Sequence, residues 1–146
     1  MNKSINVREL EKISALEAAI RALPPELQIK EELFHHFAEG IYAREMRIPA
    51  GTVVVGKMHK YPCINLIMAG TMEVRSTTGR SLRIQAPYIF TSPAGTKRAG
   101  YAVTDLTWVT VHPSKNTDLD QLEAELIISN VSMLPSRRVM VLEDII

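Results

Sequence analysis

The chain of 146 residues is 46% hydrophobic and carries 17 basic against 16 acidic side chains, a formal net charge of +1. That length supports one sizeable core rather than two domains, and so even a balance supplies no global field to select nucleic acid or a membrane surface. A single cysteine, Cys63, excludes an internal disulfide and suits a reducing compartment. No apolar run approaches the ~20 residues that span a bilayer, and the opening MNKSINVRELEKIS lacks the apolar centre of a signal peptide. The expectation is a soluble, cytoplasmic protein.

Residues 7–23 place Leu10, Ile13, Leu16 (or Ala15), Ile20 and Leu23 at helical spacing, with Glu9, Glu11, Lys12, Glu17 and Arg21 on the other side. Asn6 stands at the N-cap position with Glu9 three residues on, and Pro24-Pro25 stops the helix by removing two donors. The stripe is too short for a long coiled coil, so the helix is expected to pack on the domain or on a second subunit. Residues 33–41, LFHHFAEGI, fit either a short helix or a loop leading into a strand. His35 and His36 invite a metal reading, but adjacent side chains point to different sides of a helix or strand, which favours a partly buried aromatic turn.

From Tyr42 to Val111 the pattern is β. Short alternating runs are punctuated every eight to twelve residues by Gly and Pro, which predicts a sandwich or barrel rather than βαβ units. Residues 51–74, GTVVVGKMHKYPCINLIMAGTMEV, organise the rest. Strand alternation there puts Val53, Val55, Lys57 and His59 on one face, and Cys63, Asn65 and Ile67 on one face after the Tyr61-Pro62 turn. Lys57, His59, Cys63 and Asn65 are therefore expected to converge on one interior, with residues 91–102, TSPAGTKRAGYA, as the partner block. Residues 117–128 predict a second helix capped by Thr117 or Asp118, with Leu119, Leu122 and Leu126 on one side. The tail that follows carries Arg137-Arg138 beside an apolar stretch at residues 139–142, expected to dock as an added strand. The organisation is thus a helical extension over 1–41, a barrel over 42–113, and a helix and tail over 114–146.

The spacing Gly51-x5-Lys57-x-His59-x3-Cys63-x6-Gly70 resembles the first motif of the cupin superfamily, G-x5-H-x-H-x3,4-E-x6-G, and Pro93-x-Gly95-x2-Arg98 matches part of the second. The resemblance covers about half the chain. It implies an RmlC-like, double-stranded β-helix: a mainly β jelly-roll barrel, here with an N-terminal and a C-terminal helix. HHFAEGIYARE, IPAGTVVVGKMH, SPAGTKRAGYA and WVTVHP further resemble small phage-encoded cupin-like proteins, which implies a viral source and supplies no activity.

Where metal-binding cupins carry histidines and a glutamate, this chain has Lys57, His59, Cys63 and Arg98. Lysine and arginine are cations with no lone pair to offer. His59 and Cys63 remain as weak metal candidates, with His112, His35 or His36 as a third ligand, and two ligands do not complete a site. The expectation is no metal and no cofactor. Lys57, His59, Cys63, Asn65, Arg98 and Tyr101 are read instead as a cationic pocket for a small anion such as a nucleotide, sugar phosphate or organic acid. The competing reading pairs Lys57 and Arg98 with Glu45, Glu73 or Asp105 in a closed barrel, and assigns Lys97, on the opposite strand face, a structural role. An enzyme is not the leading expectation. A cofactor-independent isomerase, epimerase or lyase would use His59 as general base and Cys63 as nucleophile, although a lone strand cysteine is ordinarily a small core residue. A third, alternative reading is service as a phage assembly or virion component or as an inhibitor of a host protein. The two helices and apolar tail point to a homodimer; with no helix-turn-helix or zinc pattern, no nucleic-acid partner is expected.

Overall fold

A computed structural model describes residues 6–28, 32–77 and 79–127. Helix α1 (Val7–Arg21) is followed by a short 3-10 turn (Pro25–Leu27) and nine strands: β1 (Glu32–Ala38), β2 (Ile41–Ile48), β3 (Val53–Val55), β4 (Cys63–Ala69), β5 (Thr71–Ser76), β6 (Ser81–Gln85), β7 (Tyr88–Ser92), β8 (Arg98–Ala102) and β9 (Leu106–Pro113). Helix α2 (Leu119–Leu126) comes last. All strand pairs are antiparallel, in a five-stranded sheet β1-β2-β9-β4-β7 and a four-stranded sheet β3-β8-β5-β6. This is a jelly roll, as the resemblance implies, and it falls within the sandwich or barrel class that the alternation and punctuation predict.

The core lies between the sheets. Met46, Ile48, Ile67, Leu106 and Trp108 come from one sheet and meet Met72, Val74, Ile84 and Ala102 from the other. Gly70 makes the tight link between β4 and β5 at φ +92°, and a Cβ there would sit 2.1 Å from the Asp105 carbonyl oxygen, so only glycine fits.

Helix α1 departs from its expected orientation. Asn6 does cap it, accepting from the amides of Arg8 and Glu9 at 3.1 and 3.3 Å. Its buried face, however, is Glu9, Leu10, Ile13, Ser14 and Glu17, while Leu16 and Leu23 are exposed. The cause is the cationic surface beneath it. Arg75 holds Glu9 in a two-point ion pair at 2.6 and 2.8 Å, and this guanidinium lowers the Glu9 carboxyl to about 2. Lys97 meets Glu17 at 3.0 Å, with side-chain exposures of 1% and 0%. A buried pair of this kind fixes position more than it adds net stability.

Residues 33–41 are neither helix nor loop. They supply β1, paired residue for residue with β2 from Glu32↔Arg47 to Ala38↔Ile41, so the sheet begins ten residues before Tyr42. His35 and His36 fall on opposite faces, His35 bonded to the Tyr42 hydroxyl at 2.7 Å and His36 to Glu45 at 3.0 Å. The strand expected at residues 139–142 lies outside the described residues.

Candidate functional site

The interior alternation of five strands ends in polar residues at one end of the barrel. On β2, Tyr42, Arg44 and Met46 share a face, as Cys63, Asn65 and Ile67 do on β4, and Trp108, Thr110 and His112 on β9. β7 contributes Ser92 and β8 contributes Arg98. Together with Lys57 and His59, several of these residues line a cavity of about 40 Å³ around Arg98, Asn65, Ser92, Thr96 and Thr110.

Lys57 and His59 reach the cavity by a route that simple alternation does not describe. β3 stops at Val55, and it is Val54, not Val53 or Val55, that lines the interior. Gly56, in register opposite Arg98 and donating to its carbonyl at 2.9 Å, still lines the cavity, and beyond it the chain leaves strand geometry, so strand parity no longer applies. Lys57 and His59 then both face the cavity. Tyr101 does not. It is 42% exposed on the outer face of β8, opposite Val53 and Glu73. Arg98, Gly100 and Ala102 alternate inward, so Tyr101 must point out.

Arg98 is held without a carboxylate. Its Nη1 donates to Ser92 Oγ, and its guanidinium lies 5.2 Å from the centre of the Phe90 ring. Asn65 positions Ser92: Trp108 Nε1 donates to Asn65 Oδ1 at 3.0 Å, and Asn65 Nδ2 donates to Ser92 Oγ at 2.7 Å. Indole nitrogen is only a donor, which fixes the amide orientation. Asn65 is therefore a positioning residue whose hydrogen bonds are satisfied within the protein. Burial lowers the Arg98 pKa from its ordinary value; the group stays charged because arginine does not deprotonate in proteins.

The expected partners of the cations are engaged elsewhere. Glu45 bonds Arg47 and His36, Glu73 pairs with Arg83 at 3.1 Å, and Asp105 accepts from the Ala50 amide at 2.9 Å. Lys57 instead pairs at 2.7 Å with Glu123 of α2. No described carboxylate is in ion-pair contact with Arg98.

Helix α2 roofs this end of the barrel. Asp118 caps it at Gln121 (3.0 Å), and Leu122, Leu126 and Ile127 cluster with Tyr42. Its C-terminal end is tied down by the Lys60 amide on the Leu126 carbonyl at 2.7 Å and by Lys60 Nζ on the Ala124 carbonyl at 2.6 Å. A second cavity of about 190 Å³ lies between α2 and the sheet, sharing Arg44, Lys57 and His59 with the first.

The histidines here are weak bases. Burial first, then the neighbouring His112, Arg44, Arg98 and Lys57, lower His59 to about 3. His112 is lowered to about 4 by burial and Arg44. Their rings are 4.9 Å apart. Burial raises the Cys63 thiol, against smaller opposing effects of Ser92, Arg98 and Asn65. A general base works best with a pKa near the operating pH, and the thiolate is the reactive form of cysteine. Neither residue is tuned for those roles. Nor do the residues fit a bound metal, because Lys57 and Arg98 occupy two of the four ligand positions implied by the motif. Among the described residues no three His, Cys, Asp or Glu side chains are grouped to hold an ion. No described helix is long and apolar enough to cross a membrane.

Of the residues expected from sequence, Lys57, His59, Asn65 and Arg98 line the inner cavity, with Cys63 buried behind Asn65 at 3.9 Å. Arg44, Ser92 and Glu123 are additions from the structure. Arg44 has a readable signal: in the alternating run 42–48 it shares a face with Tyr42 and Met46, a charge on a core-facing stripe. Glu123 has none, since nothing local ties it to Lys57.

No protein-family model and no curated protein sequence matches the chain. Solved structures do. Salicylate 1,2-dioxygenase from Pseudoaminobacter salicylatoxidans, in adducts with gentisate, aligns with a TM-score of 0.55 at 12% identity, over 82% of this chain and 33% of that one. A putative ethanolamine utilization protein Q from Salmonella typhimurium aligns at 0.51 and 16% identity, over 60% of this chain and 72% of that one. An RmlC-like cupin with a double-stranded β-helix fold from Methanocaldococcus jannaschii aligns at 0.49 and 13% identity, over 59% of this chain and 82% of that one. At such identities the likeness concerns the fold alone, a jelly roll of two antiparallel sheets. These neighbours lend nothing to the phage likeness.

Proposed function

We propose that the protein is a ligand-binding cupin that takes a small anion at Arg98. The observation that carries this reading is a half-buried guanidinium whose described contacts are a hydroxyl and an aromatic face rather than a carboxylate. A cation taken from water needs an anionic partner or several hydrogen bonds to offset desolvation. Arginine's planar fork suits a carboxylate or phosphate, and Arg44 and Lys57 on the same cavity add positive potential. His59 and His112, neutral at pH 7, add no charge of their own and offer ring nitrogens for hydrogen bonds.

The isomerase reading lacks support, since it needs a base near neutrality and His59 lies far below it. Native mass spectrometry of the purified full chain tests the proposal. A co-purified small anion, lost in Arg98→Ala and weakened in Lys57→Ala, is the expected result. Added anions that bind wild type and Arg98→Ala alike would overturn it.

A further inference from the structure

The two cavities share Arg44, Lys57 and His59 in their linings and differ in the groups beyond them, and that arrangement specifies a ligand. The inner one, about 40 Å³, is headed by Arg98, with Asn65, Ser92, Thr96 and Thr110 beside Met46, Val54 and Trp108. The outer one, about 190 Å³, is roofed by Leu119, Leu122, Leu126 and Ile127 of the α2 region and floored by Leu33 and Tyr42, with His35, His112 and Glu123 also in its lining. Building on the anion site at Arg98, we infer that the ligand is a small amphipathic monocarboxylate. Its carboxylate enters the inner cavity and its apolar body lies under α2.

Volume and charge support each part. A water's share of the liquid is about 30 Å³, and an apolar cavity of about 150 Å³ accepts benzene. The inner cavity is thus the size of a two-oxygen head, and the outer takes one ring or a short branched chain. A nucleotide or sugar nucleotide, with phosphates, sugar and base, exceeds both together. Lys57 is already paired with Glu123, and a carboxylate head supplies the charge that Arg98 lacks. Each methylene buried under α2 adds about 0.8 kcal/mol, or about fourfold in affinity.

Isothermal titration calorimetry of the full chain decides the matter with acetate, 3-methylbutanoate, benzoate, neutral benzamide, inorganic phosphate and adenosine monophosphate as probes. The expected result is 3-methylbutanoate and benzoate at least about tenfold tighter than acetate. Benzamide should be at least about tenfold weaker than benzoate, and both phosphates weaker still. Leu122→Ala should weaken benzoate by more than it weakens acetate, and Arg98→Gln, checked for folding by its melting curve, should weaken every carboxylate. Equal binding of acetate and benzoate, both lost in Arg98→Gln, would overturn the amphipathic ligand and leave the anion site standing. Benzamide as tight as benzoate would overturn both the carboxylate and the anion site. Phosphate or the nucleotide binding tighter than benzoate, through Arg98, would overturn the carboxylate alone, and no binding by any probe would overturn both.

Discussion

Lys57 on the barrel and Glu123 on α2 meet at 2.7 Å in the lining of the outer cavity, the lysine side chain 11% exposed and the glutamate 55%. Glu123 is thus a carboxylate tethered beside the anion site. Replacing it with glutamine removes a competitor for Lys57. Glu123→Gln should tighten binding of a carboxylate ligand severalfold in calorimetry. Because the pair is partly exposed, the cost to stability should stay below about 1 kcal/mol. Weaker binding in this variant would make Glu123 part of the ligand's support rather than its rival.

Lys97 and Glu17 are buried together beneath α1. Removing one partner leaves the other charge in a dry site, so Lys97→Met or Glu17→Gln should each cost about 3–5 kcal/mol in urea unfolding. A double Lys97→Met, Glu17→Leu variant should recover most of that loss, since a packed apolar pair is a neutral replacement. Additive losses in the double variant would contradict this role.

Acid should weaken the fold through His59 and His112. Both are lowered well below 6.5 in the folded protein, to about 3 and about 4. Between those values and 6.5 the unfolded chain binds protons that the folded chain refuses, so stability rises with pH across that window and is fully present above 6.5. Each unit of separation corresponds to about 1.4 kcal/mol. The groups facing this pair are Arg44, Lys57 and Arg98, with Glu123 the carboxylate on the roof. Melting temperature should fall from pH 6.5 to 4, less steeply in His112→Phe. A flat profile would show that the rings titrate normally.

Cys63 should be inert. It is buried, with its thiol raised by that burial, and attack requires an accessible thiolate. A thiol reagent at pH 7.5 should react on the order of a hundredfold or more slowly with the native protein than with the unfolded chain. Comparable rates would reopen the nucleophile reading.

Legibility in the sequence depends on whether a signal is local. Periodicity marks most of the strands and both helices, and the resemblance of the spacing around Gly51, Gly70 and Gly95 to the cupin motifs implies the jelly roll. β1 escapes because residues 33–37, LFHHF, are apolar or aromatic on both faces, and only pairing with β2 decides their state. The end of β3 also escapes alternation, since beyond Gly56 the chain leaves strand geometry and its side chains no longer alternate between two faces. Burial of Glu9 and Glu17 runs against α1's apolar stripe because Arg75 and Lys97 lie far along the chain. Arg98 is legible as a cation at a ligand position. Its support by Ser92, Asn65 and Trp108 arises from three strands and has no local mark.

The most direct test compares the melting temperatures of wild type and Arg98→Gln, each with and without benzoate at saturating concentration. A binding residue is held at some cost to the empty fold, and a ligand at a hundred times its Kd stabilises by about 2.7 kcal/mol. If Arg98 binds the carboxylate, wild type should gain several degrees with benzoate. The variant should melt no lower than ligand-free wild type and should not respond. A variant that melts far below wild type, with neither protein responding to benzoate, would contradict the anion site and make Arg98 a structural cation.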